Sequence, residues 1–291
     1  MISPIKNYQF KTGLPHEFEI LDLETLFDTA ADIITSPHRA GFYHIIWFQK
    51  AIGNHLVDFI SLPIVPNTVL FLNKDVIQEF DKNGGFTGKV ILFTNSFFCK
   101  TAEDTNFLHN SVFFNPINNA YQIVADKELS QTLNFLLDLM NQELKAPKDS
   151  RQSNIVRNYL YNFLLLAERE NEKQSSQKIV KDADFDLVVK FKILLENEYL
   201  KHNLVSTYAG KLFSAEKRLN RATKKVTGKT AKKIISERLV LEAKRLLSHS
   251  HKSVKEVGFD LGFLEPTNFV KYFKKNTGLT PTEFRDKFEL G

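Results

Sequence analysis

Two stretches of the chain place long cationic and hydrogen-bonding side chains at helical spacing. At about 100° per residue, Leu219, Ala222, Thr223 and Val226 share one helix face, while Lys217, Arg221 and Lys224 cluster opposite. Fifty residues on, Phe269, Tyr272, Phe273 and Asn276 gather on one face, and Thr267, Lys271 and Lys274 project from the other. The two wheels superimpose. Such a face suits the major groove of DNA. The groove admits a helix, base edges accept bidentate contacts from Arg, Lys and Asn, and neighbouring lysines meet phosphates. The bland alternative is a pair of solvated amphipathic faces, which two superimposable helices in one basic domain weigh against.

Charge follows the same division. Residues 1–184 carry 17 Lys/Arg against 22 Asp/Glu, whereas residues 185–291 carry 22 against 12. A basic domain joined to a mildly acidic one points to a polyanion at the C-terminal part only. With 26 Phe in 291 residues the chain can fill real cores, and its length suggests about two domains of ~100–200 residues.

The elements that must carry the two faces form an internal repeat. Lys224-Lys225-Val226-Thr227-Gly228-Lys229-Thr230 and Lys274-Lys275-Asn276-Thr277-Gly278-Leu279-Thr280 agree at five of seven positions. With one residue less in the first turn, Ala209 also meets Gly258 and Leu212 meets Leu261. The repeating unit is a short helix, a tight turn, a second helix, then Thr-Gly to end it. Between the units, Ile234, Ile235, Leu239, Ala243, Leu246 and Leu247 predict a connecting helix over Thr230–Ser248. A helix of about 17 residues, ~25 Å, within that stretch could hold two reading heads about one DNA turn, ~34 Å, apart.

From about Asp186 to Phe288 these residues resemble the DNA-binding domain of AraC-type (arabinose-operon-regulator) transcription factors. The most specific stretches are Glu242–Leu247, Val257-Gly258-Phe259-Asp260-Leu261-Gly262-Phe263, Asn268–Lys275, Gly278-Leu279-Thr280-Pro281 and Phe284-Arg285. The resemblance implies seven helices carrying two helix-turn-helix motifs joined by a long helix. It implies reading positions at Lys217, Arg218, Asn220 and Arg221 in the first motif. In the second they fall on Thr267, Asn268 and Lys271, with Pro266 at the helix entry. Gly262 stands where the turn wants a residue with φ above zero. The first motif departs: Phe213 replaces the turn glycine and Ala215 the capping Ser or Thr, with Ser214 displaced by one as a substitute cap.

The N-terminal part reads as β-rich to about residue 125. Apolar runs at Phe42–Phe48, Leu56–Leu62, Thr68–Leu72 and Lys89–Phe93 alternate with turn signals such as Gly53-Asn54 and Asn83-Gly84-Gly85. Helical spacing follows over about 127–170. Leu133, Leu136, Leu137 and Met140 form one stripe, and Ile155, Tyr159, Phe163 and Leu166, widened by Val156, Leu160 and Leu164, form another. So broad a face needs a partner surface in this chain or another. Residues 171–184 read as a linker.

Candidate chemistry in that half is sparse. His38 and His44, six apart, would share a face on one continuous strand, but no His-x-His occurs before His249-Ser250-His251. No metal site, catalytic residue or cofactor is expected. Cys99 reads as a buried structural thiol. Phe42, Tyr43, Trp47 and Phe48 either fill a core or line a ligand cavity.

The expectation is an α+β, two-domain chain. Residues 1–170 form a cupin-like, β-rich barrel with pairing helices, 171–184 a linker, and 185–291 an all-α DNA-binding domain. It is a sequence-specific transcriptional regulator without enzymatic activity, reading two adjacent major-groove segments of double-stranded DNA. The N-terminal domain senses a small molecule, dimerises, or does both, and RNA polymerase is a further candidate partner. A catalytic barrel with a nucleic-acid-targeting basic domain is the alternative reading, and a non-specific architectural binder a third. With no apolar N-terminal stretch and no run near ~20 apolar residues, a cytoplasmic location away from membranes is the default.

Overall fold

The computed structural model describes residues 5–14, 16–114, 120–174, 182–201 and 203–289. They divide into two compact units, drawn from Lys6–Ile179 and Val180–Gly291. Among the described residues no helix is long and apolar enough to cross a membrane.

The first unit runs β1 (Lys6–Tyr8), β2 (Phe18–Asp22), α1 (Leu23–Ile34), β3 (His38–Ala40), β4 (Tyr43–Ile52), β5 (Asn54–Val57) and β6 (Ile60–Pro63). It continues through β7 (Thr68–Leu72), β8 (Ile77–Phe80), β9 (Gly85–Phe93), α2 (Asn95–Phe98), α3 (Ala102–Asn110), β10 (Ala120–Val124), α4 (Lys127–Lys145) and α5 (Gln152–Gln174). The strands make two five-stranded sheets, ordered β1-β3-β8-β5-β6 and β10-β7-β4-β9-β2.

Strand β4 shows why its sequence is apolar almost throughout. Successive side chains point to opposite faces, and both faces are covered. Ile46 and Phe48 join Leu70, Leu72, Val57 and Phe80 in a core that draws on both sheets. Tyr43, Ile45 and Trp47 join Val69, Phe71, Ile91 and Phe93 in a second core against the helices. The aromatic run at 42–48 is therefore core. Near its end β4 bulges between Phe48 and Lys50, opposite Gly88, where a Cβ would meet the Trp47 carbonyl at 2.0 Å.

Two sequence readings change here. Leu56–Leu62 is a hairpin rather than one strand: β5 and β6 pair antiparallel around Asp58, whose φ is +53°. A helix, α1, interrupts the β-rich region, because Leu23 and Ile34, with Leu26 and Phe27 between them, lie on one face against the strand core. Short-range apolar density looks alike for buried strand and buried helix.

The broad stripe of α5 is covered within its own unit. Val156, Leu160, Phe163, Leu164 and Ala167 are wholly buried, packed with Leu133, Leu136, Leu137 and Met140 of α4, whereas Ile155, Tyr159 and Leu166 of the stripe are half-buried at its margin. Most of the stripe is thus intradomain core, and only its half-buried margin faces outward. Helix α5 also runs into the expected linker. Gln174 Nε2 donates to the Val124 carbonyl at 2.5 Å and its Oε1 accepts the Val124 N–H at 3.3 Å. The next helix begins at Ala183, capped by Asp182, whose Oδ1 accepts the N–H groups of Asp184 and Phe185 at 3.0 Å each. Residues 175–181, the rest of that linker, lie outside the described residues.

The second unit is helical: α6 (Ala183–Glu198), α7 (Val205–Lys211), α8 (Glu216–Thr227), α9 (Ala231–His249), α10 (Val254–Asp260), α11 (Pro266–Thr277) and α12 (Pro281–Glu289). Leu239, Val240, Ala243 and Leu247 of α9 pack with Val257, Leu261, Phe269 and Phe273. Helix α6 is clamped to α9 by Arg238, which meets Glu196 at 2.7 Å and Glu242 at 3.1 Å and lies 3.8 Å over the Tyr199 ring. Burial alone would lower the Arg238 pKa, but Glu196, Tyr199 and Glu242 hold it above its ordinary value.

Candidate nucleic-acid interface

Helices α7 and α8 form one helix-turn-helix, and α10 and α11 form the other. Four residues, 212–215, separate the first pair and five, 261–265, the second, so the first turn is one residue shorter, as the sequence repeat requires. The turns close through matching hydrogen bonds. Phe213 N–H donates to Gly210 O at 3.0 Å and Ser214 N–H to Ala209 O at 2.9 Å. In the second turn Gly262 N–H donates to Phe259 O at 2.9 Å and Phe263 N–H to Gly258 O at 3.0 Å.

At the same point of each turn the backbone enters the left-handed region, with φ +51° at Phe213 and +82° at Gly262. The glycine does so without steric cost, whereas the phenylalanine strains its backbone. The first motif's expected substitute cap is not made. Ala215 is the N-cap of α8 without a side-chain bond, and the Ser214 hydroxyl reaches only the Ala215 carbonyl, at 3.5 Å. Its displacement by one residue puts the hydroxyl out of line with the first amides of the helix.

Both second helices end alike. Gly228 and Gly278 adopt left-handed φ of +72° and +82°, and their N–H groups bond to the carbonyls of Lys224 and Lys274 at 3.0 and 2.8 Å. Each helix is anchored by one apolar face: Leu219, Ala222 and Thr223 in α8, Phe269 and Phe273 in α11. Gly258 lets α10 approach α11 closely, since a Cβ there would meet the Phe269 side chain at 3.2–3.3 Å.

The opposite faces are open. Lys217, Arg218, Arg221 and Lys224 of α8 are exposed, as are Thr267, Asn268, Lys271 and Lys274 of α11, with Pro266 half-buried at the first helical position. Among the described residues these cations form no ion pair within 4 Å, though beside the hydrogen bonds of Thr280, Lys274 helps to hold the Glu283 carboxyl below its ordinary range. Lys225, also on α8, differs, being held by Asp182 at 2.6 Å and Asp184 at 3.0 Å.

Asn220 does not stand with the reading face. It is half-buried, and its Oδ1 accepts the Ala231 N–H at 3.1 Å, tying α8 to the start of α9. Sequence reasoning missed this because the bond joins two helices across a turn. Helix α9 itself is 19 residues, about 28 Å, capped by Thr230, whose hydroxyl accepts the Lys233 N–H at 3.2 Å.

The N-terminal candidates do not assemble into a reactive constellation. His38 and His44 lie on different strands, because the chain leaves β3 and re-enters at β4 across Gly41-Phe42. His55 is wholly buried with its Nε2 3.2 Å from Gln78 Oε1, and His16 Nε2 lies 2.9 Å from Gln152 Oε1. Burial first, then neighbouring histidines, drives His44 and His55 down to about 3, so both are neutral. Among the described residues no group of three or more His, Cys, Asp or Glu could hold a metal ion. Cys99 is half-buried rather than buried, and burial raises its thiol pKa.

Two turn-linked helix pairs, each offering a cationic second helix and joined by one long helix, define a double helix-turn-helix domain. Residues 208–287 match the family described as helix-turn-helix domain. A helix-turn-helix transcriptional regulator from the cgkA 5′ region of Pseudoalteromonas carrageenovora is 31% identical over 96 residues, 33% of this chain and 57% of its own. The transcriptional activator RhaS of Escherichia fergusonii is 26% identical over 129 residues, 44% of this chain and 45% of its own. The match thus spans about half the length of those two relatives. RhaS of Mannheimia succiniciproducens is 21% identical over 254 residues, 87% of this chain and 90% of its own.

Proposed function

We propose that the chain is a sequence-specific DNA-binding transcriptional regulator, with α8 and α11 lying in successive major-groove segments. The observation that carries this reading is the pair of equivalent exposed faces, Lys217, Arg218, Arg221 and Lys224 beside Thr267, Asn268, Lys271 and Lys274. Arg221 and Lys271 occupy equivalent places and have the reach for base edges, and the outer lysines neutralise phosphates. Asn220 is a positioning residue. The names of the relatives, all transcriptional regulators, agree with a regulator rather than an enzyme.

The N-terminal unit takes the regulatory part in this proposal, sensing a small molecule or pairing with a second copy. On the two helices, exposed Phe135 of α4 and Leu165 of α5, with half-buried Ile155, Tyr159 and Leu166, are apolar side chains available for pairing. RNA polymerase is the further partner an activator would need.

Selection from a random duplex pool tests the reading. Wild type should enrich one bipartite site, and a bidentate base contact is worth ~1–3 kcal/mol of discrimination. Arg221→Ala should relax preference in one half and Lys271→Ala in the other. Asn220→Ala should lower stability and leave base preference unchanged. Exposed Lys233→Ala should weaken all sequences equally and reduce a log K against log salt slope of about −5 to −7 by at most ~1. Uniform loss in every variant with unchanged preference would make these helices docking surfaces instead.

A further inference from the structure

Leu264 stands immediately before Glu265, the N-cap of α11, and 91% of its surface is exposed. An apolar residue in that place often folds back onto the fourth helical residue, here Phe269, and fixes the entry of the chain. Phe263 has taken that role, its ring 5.5 Å from Phe269 and 5.3 Å from Tyr272. Leu264 is therefore turned out to solvent, where it adds nothing to the core. Around it Gly262, Glu265, Thr267 and Asn268 are exposed too, so it is an apolar point at the head of a hydrogen-bonding face, more exposed than Phe259 at the end of α10.

The major groove has one apolar feature on its base edges, the C5-methyl group of thymine. When a helix-turn-helix docks, the N-terminal residues of its second helix contact base edges. A side chain just ahead of that terminus is carried to the same depth. The carboxylate of neighbouring Glu265 is repelled by phosphate, which favours the base edges over the sugar-phosphate backbone as the surface that Leu264 meets. We propose that Leu264 packs against a thymine methyl in the half-site read by α11, a specificity contact separate from the polar ones. The inference rests on α11 reading DNA.

Replacing thymine by deoxyuridine removes the methyl and leaves every hydrogen-bonding group in place. With the full-length protein and its selected duplex, each thymine of that half-site is replaced in turn. One replacement should weaken wild-type binding about 3- to 10-fold, as loss of a buried methyl-sized contact implies. Leu264→Ala should bind the thymine duplex with that same loss and be indifferent to the replacement. Its thermal melting should match wild type, since the side chain is exposed. Tolerance of deoxyuridine at every position by wild type would overturn the proposal, as would equal sensitivity in both proteins. Lys271→Ala separates the two levels: if it relaxes base preference while deoxyuridine does nothing, only the Leu264 contact fails. If Lys271→Ala also keeps wild-type preference, α11 does not read DNA and both fail.

Discussion

In the first helix-turn-helix a phenylalanine occupies the left-handed turn position that Gly262 fills in the second. Phe213 pays for it with a φ of +51° and gains no burial, since 99% of its surface is exposed. The first motif compensates elsewhere. Asn220 binds the start of α9, and Arg238 clamps that helix to α6. The second motif carries its own support: Phe263 and Phe273 flank the Phe269 anchor, Phe284 meets Phe273 edge-on, and Thr280 and Glu283 form a reciprocal cap on α12. At the corresponding start of α9 the third helical residue is Lys233, so Thr230 caps alone. One backbone plan is held with two emphases: the first motif leans on polar bonds between helices beside its Tyr208–Phe191 contact, the second on aromatic packing around α11 beside the bonds of Arg285 to the Leu247 and Lys252 carbonyls.

The largest test of that contrast is the anchor. Phe269→Ala should cost ~3–5 kcal/mol and unseat α11, because a large cavity opens beneath Phe263 and Phe273. Leu219→Ala, the matching change in α8, should cost less in a denaturant titration. Equal losses would show that the aromatic cluster adds nothing beyond one buried side chain.

Acid should find the second motif first. His249 is buried at the end of α9 with its ring edge-on to Phe288 at 5.1 Å, and burial, then Arg245, lowers its pKa from 6.5 to about 4. Its folded pKa lies below the unfolded one, so stability is complete above pH 6.5 and declines as pH falls toward 4. Solvent screening trims the effect to about 2 kcal/mol. Ahead of the first motif, the phenol of Tyr199, just past the end of α6, has its pKa raised by burial and does not titrate there. His249→Gln should flatten the acid limb, and hydrogen exchange at pH 5 should show α10–α11 opening before α7–α8.

The turns give the smallest effect. Gly262→Ala should cost ~1–2 kcal/mol, since φ is +82° and the new Cβ would lie 3.1 Å from the Leu200 carbonyl. Phe213→Asn should stabilise by under ~1 kcal/mol, because asparagine tolerates the left-handed region. Paired urea midpoints measure both. A neutral Gly262→Ala would mean that the second turn can relax, and the contrast between the motifs would shrink to their cores.

Much of the C-terminal unit was legible because a helix-turn-helix is local. The Thr-Gly stops at 227–228 and 277–278, the one-residue difference between turns and the outward set at Lys217, Arg221, Lys271 and Lys274 all follow from spacing within some twenty residues. Helical periodicity also marked α4 and α5. It could not mark which surface covers the α5 stripe, since a wide apolar face looks the same toward a neighbouring helix and toward a second chain.

What the sequence by itself determined, then, was the repeat, the faces of its helices and the split in charge, because each depends on residues one or two turns apart. Only the tertiary structure decided the rest. Asn220 left the reading face because its partner, the Ala231 N–H, is brought to it by the turn into α9. His38 and His44 separated because the chain breaks its extended course between β3 and β4. Leu264 turned outward because Phe263 reached Phe269 first. In each case the choice rests on a contact between elements, and spacing along one element carries no record of what stands across from it.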